Sequence, residues 1–221
     1  MKGSAKGGLP KKLKGFYESM YRLLGPQGWW PGRTRFEVIV GAILTQNTAW
    51  TNVKKAINNL RREKLLTPER LRGVEAKKLA AHIRPAGYFN IKAKRLKNFT
   101  EYLFRNYNGS LDRFLSHKNN GIRAELLGVN GIGPETADSI LLYAGGHPEF
   151  VVDAYTKRML TRHHVVKEDA GYDDMKTLFM ENLPRDAKLF NEFHALIVKT
   201  GKDYCRTKAP ACEECPLQNY L

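Results

Sequence analysis

Leu126-Leu127-Gly128-Val129-Asn130-Gly131-Ile132-Gly133-Pro134-Glu135-Thr136-Ala137, followed downstream by Val151-Val152-Asp153, is the stretch on which the fold turns. Two glycines one residue apart separate an apolar segment from a segment opened by Pro134. Glycine supplies the positive φ angles and close backbone approach of a tight turn, and proline suits the first position of a helix, where its missing N–H costs nothing. The stretch therefore predicts helix, short hairpin, helix, with backbone N–H groups aimed outward. Such groups at a helix N-terminus are a ready partner for a phosphate oxygen. Taken alone, the pattern also fits an ordinary corner between two helices, or a noncatalytic protein that grips a DNA backbone.

Charge favours a nucleic-acid partner. The 221 residues carry 37 Lys plus Arg against 22 Asp plus Glu, a formal net charge of +15. That excess attracts a polyanion and makes association fast and salt-sensitive. No apolar run approaches the about 20 residues of a membrane-spanning helix, so no membrane role is expected. Met1 to Gly15 is basic and lacks the apolar core of a secretory signal, and it reads as a mobile basic arm. A cytoplasmic, nucleoid-associated location follows. Nothing in the sequence demands an oligomer, so a monomer is expected.

Helical periods dominate, and no strand alternation or internal repeat stands out. Leu13, Phe16, Tyr17, Met20, Leu23 and Leu24 share one helix face that Gly25-Pro26 ends. The segment from Phe36 to Leu44 is nearly all apolar and predicts a buried central helix. Further helices are expected over 51–60, 74–83, 91–107, 111–115, 122–127, 136–144, 154–163, 175–183 and 189–200. Thr67-Pro68-Glu69 is a helix start, and Asp153 should cap the helix that follows it. The chain is all-α. Residues 31–146 form one contiguous helical module.

The core Gly131-Ile132-Gly133-Pro134-Glu135-Thr136-Ala137 with Val151-Val152-Asp153 resembles the helix-hairpin-helix element of the endonuclease III superfamily of DNA glycosylases. The resemblance implies two helical lobes with a cleft between them. The second lobe would be discontinuous, built from residues 1–30 and 147–221. It further implies DNA contacts from Gln46, Asn47, Gly131, Gly133, Glu135 and Thr136, with Gln46 filling the gap left by an everted nucleotide. Alternatively, Gln46 is simply a polar helix end bonding the last carbonyls. Lys92, Lys94, Arg95 and Lys97 are phosphate contacts or, for most of them, a solvated face.

Asp153 has two compatible roles. As an N-cap its carboxylate accepts backbone N–H bonds. By resemblance it is also the catalytic carboxylate: cleaving an N-glycosidic bond builds positive charge on the sugar, and a fixed anion lowers that barrier. Position 135 then sets the reaction type. Bifunctional relatives place a lysine there whose amine attacks the sugar, whereas Glu135 cannot form an imine. The expected enzyme is a monofunctional glycosylase that leaves the strand intact. Lys157 is a conceivable substitute amine, and a solvated helix lysine is its ordinary reading.

Trp29-Trp30-Pro31, Phe36 through Leu44 with Thr45-Gln46-Asn47-Thr48, and Arg84-Pro85-Ala86-Gly87-Tyr88-Phe89-Asn90 with Lys92 to Leu96 look like the 3-methyladenine DNA glycosylase branch called MagIII. This similarity implies a base pocket walled by Trp29 or Trp30, Pro31 and Trp50. Double-stranded DNA would present a flipped damaged base to it. N3- and N7-alkylated purines are cationic, so they leave without a strong acid and favour aromatic faces. The expected substrate is an alkylated purine, chiefly 3-methyladenine. A glycosylase for mismatched thymine or uracil is the alternative, with Glu37, Tyr88 or Asn90 as hydrogen-bond partners.

Three cysteines, Cys205, Cys212 and Cys215, crowd the C-terminal region. This spacing reads as metal ligation rather than as a disulfide framework. It resembles the first three ligands of the superfamily's C-x6-C-x2-C-x5-C loop, which implies a structural [4Fe–4S] cluster. Leu221 stands where the fourth cysteine would fall. A zinc site with three cysteines and one other ligand is a further option.

Overall fold

The computed structural model describes residues 8–116 and 121–221, and every regular element among them is helical. The chain forms two compact units. One comprises the residues up to Trp29 together with Pro148–Leu221; the other is Trp30–His147.

The second unit is built around α2 (Arg35–Thr45). Thr34 starts it by accepting the Glu37 N–H at 3.1 Å, and every residue from Phe36 to Leu44 is buried. A helix apolar on all sides has to be surrounded. Around it lie α3 (Trp50–Arg62), α4 (Pro68–Gly73), α5 (Ala76–His82), α6 (Phe89–Tyr107), α7 (Leu111–Leu115), α8 (Gly121–Leu127) and α9 (Pro134–Ser139). Their inward faces, among them Val53, Leu60, Leu79, Leu96, Phe99, Phe114 and Leu126, join α2 in one core. Thr67 caps α4 through the Arg70 N–H, with Pro68 in the first turn, as that start signal requires.

Two expectations change here. Residues 136–144 are not one α-helix: α9 passes at Ile140–Ala144 into a π-helical turn. The basic stretch before Gly15 is not an arm over its described part. Instead α1 runs from Gly8 to Leu24, because Leu13 and Phe16 are fully buried and Gly15 leaves room for the Tyr220 hydroxyl. Residues 1–7 lie outside the described residues.

In the first unit α1 packs against α11 (Tyr172–Asn182) and α12 (Ala187–Asp203), and α12 packs in turn against α10 (Ala154–Arg162). Phe150 and Phe179 stack face to face at 3.7 Å, and Phe190 and Phe193 close on Phe150 edge-on at 5.4 and 5.8 Å. Phe16 meets His163 and Tyr220, both at 5.1 Å, and so ties α1 to the last residues of the chain.

Lys92 departs most from its reading as surface charge. Only 1 % of it is exposed. Its ammonium donates to the carbonyls of Leu44 and Ala86, both at 2.8 Å, and to the Thr48 hydroxyl. Burial pushes its pKa down to about 8, with the Arg95 charge adding to the shift. The lysine serves the Leu44 carbonyl in the last turn of α2, which lies inside protein and needs a donor. Lys97 works the same way at the end of α4, donating to Leu71, Arg72 and Val74 carbonyls.

Lys92→Met should therefore lower the unfolding free energy by about 2 kcal/mol, because its buried acceptors would be orphaned. The unfolded chain keeps this proton up to the ordinary lysine value of 10.5, while the folded chain releases it near 8. Unfolding takes up a proton in that window, so the wild type should gain stability over Lys92→Met as pH rises through it. Urea titrations at neutral pH and at about pH 9.5 check both points. An unchanged midpoint in the variant, or a gap that shrinks with pH, would contradict them.

Candidate active site and nucleic-acid interface

The hairpin forms between α8 and α9. The Ile132 N–H closes its turn on the Val129 carbonyl at 3.0 Å, and Gly131 sits at φ +96°. A Cβ on Gly131 would lie 2.3 Å from Arg95 Cγ, so both backbone angle and space require glycine. Gly133 adopts extended backbone at the N-cap of α9 and brings no side chain to its first turn. Glu135 is exposed, while Thr136 is buried.

The hairpin is anchored from α2 and α6. The Gln46 amide nitrogen donates to the Gly131 carbonyl at 3.0 Å and to the Thr136 hydroxyl at 2.9 Å. Arg95 donates to the Gln46 amide oxygen, and Asn98 donates to the Asn130 carbonyl at 2.9 Å. The Arg95 guanidinium thus orients the glutamine, a role that neither of its sequence readings included. The neighbouring Asn47 is exposed at φ +52°. Tyr88, at φ +44° and 69 % exposed, stands just before α6. Non-glycine residues in left-handed backbone store strain, which proteins concentrate where function uses it.

The aromatic residues divide between the units. Trp30 lies edge-on to Trp50 at 5.0 Å, and Tyr143 stacks on Trp30 at 4.9 Å. Gly41 on α2 makes room for this cluster: a Cβ there would approach the Trp30 indole nitrogen to 3.3 Å. Pro31 is exposed beside it. Trp29 belongs to the other unit, where the Lys202 ammonium lies 5.9 Å from its ring and 6.0 Å from that of Tyr155. The place of Tyr143 beside Trp30 is not readable from the sequence, since the π-helical turn that delivers it has no sequence signature. Glu37 is buried against the Arg61 guanidinium at 2.7 Å, a structural ion pair.

Asp153 caps α10 as its position predicts. One carboxylate oxygen accepts the Thr156 N–H at 2.8 Å and the Thr156 hydroxyl at 3.0 Å. The other lies 3.5 Å from His194 Nε2 on α12. Burial raises the pKa of this carboxyl, but the His194 imidazole and the two Thr156 donors outweigh it, and the net displacement is downward. The group is therefore an anion at neutral pH. Lys157 reaches back to the Ala170 carbonyl at 3.2 Å.

The cysteines line one pocket with Arg162, His163, Tyr204, Leu217, Gln218 and Leu221. None is in a disulfide. Arg162 donates to Cys205 Sγ at 3.3 Å. Burial pushes the Cys215 thiol up, and the neighbouring Cys205 and Cys212 add to that. Among the described residues no three His, Cys, Asp or Glu side chains are placed to hold a single metal ion. The donor set is three thiols, and Leu221 lines the same pocket with a side chain that has no metal-binding atom.

With this geometry in view, the kinship of the chain is definite. The profile of the HhH-GPD superfamily of base excision DNA repair proteins matches residues 40–185. A Methanocaldococcus jannaschii protein, provisionally named a DNA repair glycosylase, is 51% identical over 205 residues, 92% of this chain and 93% of its own. Among solved structures, the H. pylori 3-methyladenine DNA glycosylase MagIII bound to 1,N6-ethenoadenine has a TM-score of 0.76 at 29% identity, covering 88% of this chain and 97% of that one. A trapped endonuclease III–DNA covalent intermediate shares the fold, with a TM-score of 0.82 at 23% identity over 96% and 94% of the two chains. The chain belongs to the HhH-GPD superfamily and is a DNA glycosylase by family. Its relatives there include MagIII as well as endonuclease III.

Gly131→Ala should cost about 1–3 kcal/mol, through the positive φ and the displaced Arg95. Asp153→Ala should lose about 1 kcal/mol of cap, whereas Asp153→Asn, an equally good cap, should lose less. Thermal melts of the three variants test this ordering. A melt of Asp153→Asn below that of Asp153→Ala would sink the capping account.

Proposed function

We propose that this chain is a monofunctional DNA N-glycosylase that removes cationic alkylated purines, chiefly 3-methyladenine, and leaves an abasic site in an intact strand. The observation that carries the reading is an ionised carboxylate held on both oxygens, Asp153, in a chain with Glu135 where an attacking amine would be needed. As the glycosidic bond lengthens, positive charge grows on the sugar. A fixed anion stabilises that charge without reorganising. The departing base is already cationic, so it leaves without a protein acid.

Trp30, Trp50 and Tyr143 supply the aromatic surface that a cationic base prefers, at about 0.5–2 kcal/mol per contact. Glu37, held by Arg61, is not disposed to read a neutral pyrimidine. The 29% identity to a 3-methyladenine glycosylase supports the same choice. DNA is held by the first-turn N–H groups after Gly133 and by the positive surface. Gln46 fixes the hairpin, and the exposed Asn47 beside it is the side chain disposed to enter the space left by an everted nucleotide.

The cysteine pocket is assigned to a structural [4Fe–4S] cluster on Cys205, Cys212 and Cys215, with the fourth ligand from elsewhere. When bound, it would cross-brace the loop after α12 and contribute no redox step to base release.

Duplexes carrying 3-methyladenine, 7-methylguanine, uracil or a G·T mismatch should lose only the alkylated purines, with no strand scission and no borohydride-trapped adduct. Asp153→Asn should slow release by about 10²-fold or more. Trapping of a covalent adduct, or preferential release of uracil or thymine, would overturn the assignment. Anaerobically purified protein should absorb in the visible thiolate-to-iron region and lose that band in Cys212→Ser. A colourless, iron-free protein would refute the cluster.

A further inference from the structure

His194 sits on α12 between Phe193 and Ala195, within a run of buried apolar residues, and is itself only 4 % exposed. A polar ring buried among apolar groups is costly unless it meets a polar partner. Its Nε2 faces the Asp153 oxygen that Thr156 does not bond. Thr156 alone, holding one oxygen from within α10, leaves the carboxylate able to rotate about its Cβ–Cγ bond. A second contact from a different helix fixes the carboxylate plane.

We propose that His194 is a positioning residue for base release, holding the Asp153 carboxylate in its working orientation and charge state. The proposal rests on Asp153 being the catalytic anion. The groups acting on that carboxylate are His194 from α12 and Thr156 from α10, and the Tyr172 hydroxyl accepts the Val152 N–H at 3.4 Å next to it. Several other cations of the unit have partners of their own. Arg158 donates to the Cys205 and Gly201 carbonyls, Lys157 to Ala170, Lys12 to His163, and Lys176 pairs with Glu149. His194 therefore supplies the counter-group for Asp153. The sign follows: without it, burial acts with less opposition and the Asp153 carboxyl titrates at higher pH.

The test compares His194→Phe, His194→Asn and Asp153→Asn in the full chain. Two readouts serve: single-turnover release of 3-methyladenine across the acidic range, and carbon-13 NMR titration of the Asp153 carboxyl in the DNA-free protein. His194→Phe should slow release ~10-fold and move both the acid limb and the NMR titration upward by about one pH unit. His194→Asn, which keeps a donor, should recover part of the rate and also stands in should the phenylalanine variant fail to fold. A folded His194→Phe with wild-type rate and unmoved titration would overturn the proposal. So would a slowed enzyme with an unmoved titration, since that marks a merely structural role. If Asp153→Asn still releases base, the reading of Asp153 itself fails; an inactive Asp153→Asn beside a wild-type-like His194→Phe removes His194 alone.

Discussion

The Leu44 carbonyl, in the last turn of α2, lies inside protein, and an interior carbonyl without a donor is too costly to keep. This constraint organises the Trp30–His147 unit. α2 is buried from Phe36 to Leu44, so the Leu44 carbonyl needs a donor from within the protein. Lys92 fills that role, bringing α6 and the turn at Ala86 onto the same point. With the end of α2 fixed, the residues beyond it have set directions. Gln46 reaches the hairpin, Thr48 returns to Ala86 at 2.6 Å, and Trp50 opens α3 beside Trp30. A single buried ammonium thus precedes, in the chain of causes, both the hairpin and the aromatic cluster.

In the other unit the controlling term is charge. A carboxylate in a mostly buried position would ordinarily take up a proton. Asp153 escapes this because its N-cap role supplies two donors from Thr156 and because α12 places an imidazole on its far side. Capping and ionisation are therefore one arrangement. The geometry that starts α10 is the geometry that keeps the anion charged.

How much of this could be read from the residues follows from the range of each interaction. The helix at 36–44, the glycine hairpin and the Asp153 cap are local, and their signals lie within a few adjacent residues. Lys92 was read as a surface cation because helical periodicity places a residue on a face without saying whether that face carries buried carbonyls. Its partners Leu44 and Thr48 are far away in sequence. Arg95 is a similar case: its partner Gln46 lies just past the end of α2, far away in sequence. Tyr143 depends on one turn of π-helix, which shifts everything after Ile140 relative to an α-helical count. His194 sits in an apolar run, where a lone histidine gives no clue to a carboxylate on another helix.

The cysteine pocket and the Asp153 carboxylate are joined by one element. α10 begins at Asp153 and ends at Arg162, which donates to Cys205 Sγ and to the Arg206 and Thr207 carbonyls. One turn earlier, Arg158 donates to Cys205 and Gly201 carbonyls at the end of α12. These arginines tie the C-terminal halves of α10 and α12 together, and Gly201 permits the close approach by leaving space for the Tyr155 ring. Because helices pack as stiff rods, fixing their C-terminal ends also limits how His194 can move against Asp153.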